Sequence, residues 1–198
     1  MARRALHTVL LALAASLMTG LASLPAHAEY YANEKNPKDP NRPLYLSLAA
    51  ELKSIPDLFG CEFAWADMLD PSTLQLEFAP RGHDVRKWTR LVTITTVLMS
   101  KESAQQRDLV QRLQSIMMDN FKQHGRVIET KSGTDAKGLP TLYVEYETGT
   151  GAAKEHNAAA IMRLRDEFAG IVQIQSRGKP LAREDATKMQ SLAIPKKN

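Results

Sequence analysis

The chain has 198 residues, a formal net charge of +4 and a single cysteine. That length suits one domain with a core of its own. One cysteine excludes a disulfide framework within the monomer. Acidic and basic residues are interspersed, which argues against the basic stripe that nucleic-acid binding needs.

The N-terminal segment, residues 1–28, has the pattern of a secretory signal peptide. Arg3 and Arg4 give a positive start, residues 8–24 are mostly apolar, and residues 25–28 end in an A-x-A cleavage pattern. The alternative is a retained membrane anchor, but polar residues interrupt the apolar run, and a spanning helix needs about 20 apolar residues. We therefore expect cleavage, a periplasmic or secreted protein with no stable membrane span, and a net charge halved by the loss of both arginines.

The mature chain is expected to start with a polar arm. Residues 29–43 are rich in Asn, Lys and Pro and have little to bury, which predicts a flexible N-terminal arm. Residues 44–198 are expected to form a single domain. Leucines at near-helical spacing predict a first helix over 44–55, which Pro56 ends.

Three strands are predicted next, over residues 61–68, 73–79 and 91–98. The second of them alternates between apolar residues on one face and polar residues on the other, which include Gln75 and Glu77. Asp-Pro-Ser turn chemistry between the first two strands predicts a hairpin.

The strongest helix is predicted over residues 103–123, because its apolar residues fall on one face at steps of three and four. Gly125 is expected to cap this helix in a left-handed conformation, with His124 in the last turn. The helix must cover something apolar, and the sheet is the candidate.

The remaining residues predict an antiparallel meander followed by a closing helix. Its strands are expected over residues 126–131, 142–147, 156–165 and 168–176, and the closing helix over 183–193. The fold class is therefore α+β: an antiparallel β-sheet of about six strands packed with helices.

Two stretches carry a resemblance to small exported bacterial proteins. In the first, Pro80-Arg-Gly82 ends a strand and residues 88–93 (Trp-Thr-Arg-Leu-Val-Thr) lead into the next. The second runs from Gly138-Leu-Pro through Met162-Arg-Leu to Phe168 and the closing helix. This order of elements resembles the α/β/α sandwich of PsbP-like and DcrB-like proteins. The resemblance implies mainly non-enzymatic roles in envelope or lumenal complexes, and it transfers no metal-site residues.

A thiol nucleophile is one candidate chemistry. Cys61 would need a base and an orienting group, and the candidates for these are His83, His124, His156, Asn157 and Asp84. Burial is the alternative, because a free cysteine behaves as a small hydrophobe. Strand geometry predicts that Cys61, Phe59, Phe63 and Trp65 share the buried face.

Other candidate sites are weaker. The acidic residues Asp57, Asp67 and Asp70, with His83 and Asp84, are near one another in sequence but lack the spacing of a metal motif. Glu62 and Glu77 could face each other across the first hairpin as an acid pair. Residues 149–151 lack a phosphate-loop pattern and predict a hairpin loop. Trp65 and Trp88 are either core residues or an exposed binding edge.

These patterns favour an exported, non-catalytic envelope protein that acts as a binding or assembly module. Its partner would be another envelope protein or a surface component. A secreted hydrolase or thiol enzyme with an unrecognised site is one alternative, and a small-ligand carrier is another. We expect no cofactor and no metal.

Overall fold

The computed structural model describes residues 29–32, 39–99 and 102–195. The predicted signal peptide, residues 1–28, and residues 33–38 of the predicted arm lie outside the described residues. Within the described ranges, no helix combines the length and the apolar character that crossing a membrane requires.

Over the described ranges, one antiparallel sheet of eight strands dominates the structure. The strands are β1 (Glu29–Tyr31), β2 (Cys61–Asp70), β3 (Thr73–Pro80), β4 (Arg90–Leu98), β5 (Gly125–Thr134), β6 (Pro140–Thr148), β7 (Glu155–Arg165) and β8 (Phe168–Arg177). Their order across the sheet is β1-β2-β3-β4-β8-β7-β6-β5. The α+β class is confirmed, whereas the expected number of about six strands is wrong.

Strand β1 lies in the segment that the sequence predicts to be an arm. It pairs antiparallel with β2, with Tyr30 opposite Ala66. The Tyr30 ring is buried and stacks on Phe63 at a centroid distance of 5.9 Å. Three residues are too few to show an alternating pattern, so the pairing depends on this tertiary contact rather than on local sequence.

The sheet consists of two meanders that meet along its middle. Strands β1 to β4 follow one another, as do β5 to β8, and the two sets join where β4 pairs with β8. This junction runs from Arg90 opposite Ser176 to Leu98 opposite Phe168. The two central strands are therefore far apart in the chain.

In the described part of the chain, four α-helices accompany the sheet: α1 (Arg42–Glu51), α2 (Ser54–Asp57), α3 (Ser103–His124) and α4 (Arg183–Ala193). Helix α3 connects the central strand β4 to the edge strand β5 and packs on strands β5 to β8. Its side chains Val110, Leu113, Met117 and Phe121 are almost fully buried, and burying each contributes about 1.5–3 kcal/mol. The predicted packing of this helix on the sheet is confirmed.

Gly125 does not cap α3 in the expected way. Its φ of −159° is extended, and the residue begins β5 directly after the helix. A Cβ atom at this position would lie 2.2 Å from the backbone oxygen of Glu147. The glycine therefore serves the close approach of β5 to β6 and not a left-handed cap.

The opposite face of the sheet packs against α1, α2 and α4. Tyr45 and Leu48 of α1 and Met189 of α4 belong to the same buried cluster as Leu76 and Ile174 of the sheet. The first predicted helix is divided in the structure, because α1 ends at Glu51 and the short α2 follows it.

Candidate functional site

Cys61 is buried at the start of β2. It is 5% exposed, and its Sγ lies 3.6 Å from the backbone oxygen of Phe59 and 4.0 Å from Nη1 of Arg90. Burial raises the pKa of Cys61 to about 11; Arg90 opposes this rise and Asp185 adds to it. A thiol in these surroundings stays protonated and unreactive near neutral pH.

The candidate bases lie in other environments. His83 and His124 are exposed, and His156 Nδ1 lies 3.0 Å from Oε1 of Glu147. Lys154 and Arg126 also bind Glu147, and their hydrogen bonds lower the pKa of that carboxyl. The arrangement at His156 is an ion-pair network at the ends of β6 and β7.

The two candidate orienting groups are also separated from the thiol. Asn157 lies on the opposite face of the sheet from Cys61, because its neighbour Ala158 belongs to the cluster that contains Cys61. Asp84 accepts a hydrogen bond from the backbone N–H of Arg86 and so starts a short 3₁₀ turn. The geometry does not assemble a thiol nucleophile with its base.

The predicted acid pair does not form either. Glu62 lies opposite Ala79, whereas Glu77 lies opposite Trp65. Glu62 instead accepts hydrogen bonds from Arg81 and from the backbone of the following glycine.

The remaining sequence candidates have local structural roles. Asp57 pairs with Lys53, and Asp70 accepts hydrogen bonds from Ser72 in the β2–β3 turn. Among the described residues, no three His, Cys, Asp or Glu side chains are grouped as a metal site would require. The 149–151 segment is a loop between β6 and β7.

A shallow cleft of about 600 Å³ lies at the β7–β8 turn. Its two arginines are engaged: Arg163 forms ion pairs with Asp135 and Asp166, and Arg165 donates a hydrogen bond to the backbone oxygen of Glu51. Both cationic groups of the cleft therefore already have partners.

A different feature lies on the face of the sheet that carries α3. On this face, parts of β3, β4 and β8 and one position of β7 carry polar side chains instead of apolar ones. We call this group of side chains the polar strip. Its members are Gln75, Glu77, Thr93, Thr95, Asn157, Gln173 and Gln175.

Cross-strand pairing makes the polar strip continuous. Thr93 lies opposite Glu77 on one side and opposite Gln173 on the other, so these three form one row across the sheet. Gln175 lies opposite Asn157 and extends the strip onto β7. Directly opposed side chains are about 4.5–5.5 Å apart at Cβ, so neighbouring members of the polar strip lie within reach of one another.

Hydrogen bonds between its own members order the polar strip. Nε2 of Gln75 donates to Oε1 of Glu77 at 3.1 Å, and the hydroxyl of Thr93 donates to Oε1 of Gln175 at 3.0 Å. Each bond links neighbouring members of the strip, so these side chains hold one another in place.

Four oxygen atoms of the polar strip have no hydrogen-bond partner within the described ranges. They are Oε1 of Gln75, Oγ1 of Thr95, Oδ1 of Asn157 and Oε1 of Gln173. The four side chains are 7%, 1%, 1% and 0% exposed. An unsatisfied buried polar atom costs about 1–3 kcal/mol, so four of them on one face require an explanation.

Glu77 is the ionisable member of the polar strip. Burial raises its pKa to about 7, the hydrogen bond from Gln75 opposes the rise, and the charge of Asp67 adds to it. Near neutral pH the carboxyl therefore exists in both forms and can either donate or accept a hydrogen bond.

Helix α3 borders the polar strip. The Phe121 ring stacks on Tyr146 at a centroid distance of 4.0 Å, and Nε2 of Gln173 donates to the Tyr146 hydroxyl. Among the described residues, the buried apolar cluster beneath α3 takes no residue from β2 or β3. On β4, β7 and β8 the polar strip therefore adjoins the apolar cluster beneath α3, and on β3 it extends beyond that cluster.

A β-bulge brings an aromatic ring to the other border. The register of β2 shifts between Phe63 and Trp65, which places Trp65 opposite Glu77. The prediction that Trp65 shares a face with Cys61 and Phe63 is therefore wrong, because a bulge inserts one extra residue into the alternation. Trp65 is half-buried and packs against the cluster formed around Val85.

Trp88 lies at the same end of the polar strip. It packs against the cluster of Ala79, Val85 and Leu91, and the guanidinium of Arg177 lies 3.9 Å from its ring centroid. The rings of Trp65 and Trp88, with Glu77 and Gln175, are half-buried, so this is the end of the strip that solvent can reach.

The sequence predicts Gln75 and Glu77 as the polar face of one strand, but not as part of a group that crosses several strands. The signal it missed was the same alternation in neighbouring strands: Thr93 and Thr95 in β4, and Gln173 and Gln175 in β8. The sequence matches no protein-family model and no curated protein.

Proposed function

We propose that this chain is an exported, non-catalytic envelope protein that acts as a binding module, and that the polar strip is its ligand site. One observation carries the proposal: four buried oxygen atoms without partners in the described ranges lie side by side on one face of the sheet. A ligand with hydrogen-bond donors would satisfy them and recover the cost of their burial.

The order of elements in the sheet supports the proposed role. The described helices lie on both faces of an antiparallel sheet, and the sequence resembles the PsbP-like and DcrB-like sandwiches, which serve mainly non-enzymatic roles. The signal-peptide pattern of residues 1–28 supports a periplasmic or secreted location.

The surroundings of the candidate nucleophile favour binding over catalysis. Cys61 contacts a backbone oxygen and Arg90, and its raised pKa disfavours the thiolate that a thiol enzyme needs. His156 is engaged with Glu147. The polar strip, in contrast, contains hydroxyl and amide groups, which are typical of ligand recognition.

The test is retention of a ligand by the purified protein. The protein is dialysed against a small-molecule extract of the bacterial envelope, washed, and examined by native mass spectrometry. We expect a bound small molecule that the Thr93→Val/Gln175→Leu double variant loses, because that variant removes one ordered pair of the strip.

The matched control is Gln123→Leu, an exposed change on α3 away from the polar strip. It should retain the molecule as the unaltered protein does. Equal retention by the double variant, with its fold verified by circular dichroism, would overturn the assignment of the site. Retention of no molecule at all would overturn the proposed function.

A further inference from the structure

We infer that the outer edge of β5 is a self-association surface, on which a second copy of this chain pairs its own β5 antiparallel about Thr130. This inference goes beyond the ligand site and does not depend on it. Three observations lead to it: the position of β5 in the sheet, the exposure of its residues and the order of its charges.

Strand β5 offers a long open edge. Within the described ranges it pairs with β6 on one side and with no strand on the other. It has ten residues, whereas β1 at the opposite edge has three. Every second residue from Arg126 to Thr134 is exposed, and Ile128 among them is 48% exposed. The backbone N–H and C=O groups of such an edge are a template for another strand, which would also cover this apolar side chain.

Two-fold symmetry restricts the register of such a pair. Two antiparallel copies of one edge strand continue a sheet when the two-fold axis is perpendicular to it, so opposed side chains lie on the same face. A pair centred on Glu129 or on Lys131 would set like charges against each other. A pair centred on Thr130 sets Glu129 opposite Lys131 of the second copy, and it does so twice. Opposite charges directly across two strands stabilise the pairing, and like charges destabilise it.

The bulge and the lysine of β5 leave this pairing possible. The register shift lies between Val127 and Glu129, so residues 129–131 pair regularly with β6. Nζ of Lys131 lies 2.9 Å from Oε1 of Glu129 and 2.8 Å from Oε1 of Gln190 on α4. An ammonium group has three donors, so one remains for the Glu129 carboxylate of the second copy. The side chains of Lys131 and Glu129 are 39% and 43% exposed, which leaves both within reach of it.

The experiment measures self-association of the purified protein by analytical ultracentrifugation, from micromolar to millimolar concentration. We expect a dimer whose population rises with concentration. Lys131→Glu sets acidic side chains against each other across the pair, and Glu129→Lys does the same with basic ones. Each variant alone should raise the dissociation constant of the dimer by about tenfold or more.

Mixing the two variants tests the register. In a mixed pair, one copy has two basic side chains at positions 129 and 131 and the other has two acidic ones, so every cross-strand charge pair is opposite. We expect the equimolar mixture to dimerise at least as tightly as the unaltered protein. Lys53→Glu is the matched control, because it makes the same change of charge at an exposed position outside β5. It should leave self-association unchanged.

The remaining outcomes would overturn the inference. A monomer at every concentration is one of them. A dimer that Lys131→Glu does not weaken is another, because a different surface would then hold it. Loss of the dimer in both variants without recovery in their mixture, with each fold verified by circular dichroism, is the third. Neither residue belongs to the polar strip, so ligand retention by these variants tests the proposed function separately.

Discussion

Arg90 and Asp185, 95 residues apart in the chain, form a two-point ion pair that ties β4 to α4. Nη2 of Arg90 lies 2.8 Å from Oδ1 of Asp185, and Nε lies 3.1 Å from Oδ2. The remaining nitrogen, Nη1, donates to the backbone oxygen of Phe59 at 2.6 Å. One guanidinium therefore connects three segments of the chain around Cys61.

Removing the cation from this pair should destabilise the fold. The side chain of Asp185 is 8% exposed, so Arg90→Met leaves a buried carboxylate without its partner. Because Arg90 itself is partly exposed, we expect a loss of about 2–3 kcal/mol in the free energy of unfolding, less than for a fully buried pair. Urea denaturation measures it.

The double variant Arg90→Met/Asp185→Leu is the control. It removes both charges and should be more stable than Arg90→Met alone. If the double variant loses as much as the two single variants added together, the ion pair has no coupling energy and the interpretation is wrong.

Truncating the inner face of α3 should be costly. Leu113 is fully buried between the helix and the sheet, so Leu113→Ala should lower the free energy of unfolding by about 2–5 kcal/mol. Leu98→Ala offers a matched comparison, because Leu98 is 54% exposed and should cost about 0.5 kcal/mol or less. Equal losses in the two variants would mean that the helix face is misassigned.

The thiol of Cys61 should react slowly in the folded protein. Burial raises its pKa to about 11, so at pH 8 the thiolate is rare, and labelling should be about 100-fold slower than in urea. A non-reducing gel should show no covalent dimer, and Cys61→Ala should retain the ligand. Labelling of the native protein at the unfolded rate would revive the thiol enzyme hypothesis.

Glu77 should make stability depend on pH. Its pKa is raised from an ordinary value of 4.5 to about 7, so the unfolded chain loses this proton first as the pH rises. Glu77 therefore contributes fully to the free energy of unfolding below about pH 4.5. This contribution decreases as the pH rises from 4.5 to 7, and it is lost above pH 7. The fall amounts to about 3 kcal/mol at most.

Glu77→Gln should remove this part of the pH dependence, because an amide does not titrate. Urea denaturation at half-unit steps from pH 4.5 to pH 8 compares it with Glu62→Gln, whose exposed carboxylate accepts hydrogen bonds from Arg81 and Gly82. The Glu77 variant should show a flatter profile than both the unaltered and the Glu62 proteins. An unchanged slope would contradict the burial of this carboxyl.

Gly125 should tolerate alanine less well than a glycine in a turn. In Gly125→Ala the new Cβ meets a backbone oxygen that cannot move without shifting β6, and we expect a cost of about 3 kcal/mol. Gly82 has a φ of +77° and open space around it, so Gly82→Ala should cost about 1 kcal/mol from backbone strain alone. Thermal unfolding measures the loss of stability in both variants. A loss in Gly125→Ala no larger than that in Gly82→Ala would contradict the close approach of β6 to Gly125.

The sequence predicts those elements whose structure is local. The helix containing Leu113 follows from its own periodicity, and the strand containing Gln75 from its alternation. Trp65 departs from prediction because a bulge is a property of two paired strands, and Gly125 because its neighbour in β6 is distant in the chain. The alternation predicts Gln75 and Glu77 on a polar face, yet only the pairing of β4 with β8 brings Gln173 into the same row, with Thr93 between it and Glu77.

The junction between β4 and β8 has a consequence for how the chain folds. A polypeptide synthesised from its N-terminus presents β4 with an open hydrogen-bonding edge until residues 168–177 have followed. The first meander can assemble early, but the sheet closes only when its last strand arrives, and contacts of such long range slow folding. A chain that ends before residue 168 would therefore leave the inner edge of β4 unpaired and open to the strands of other chains.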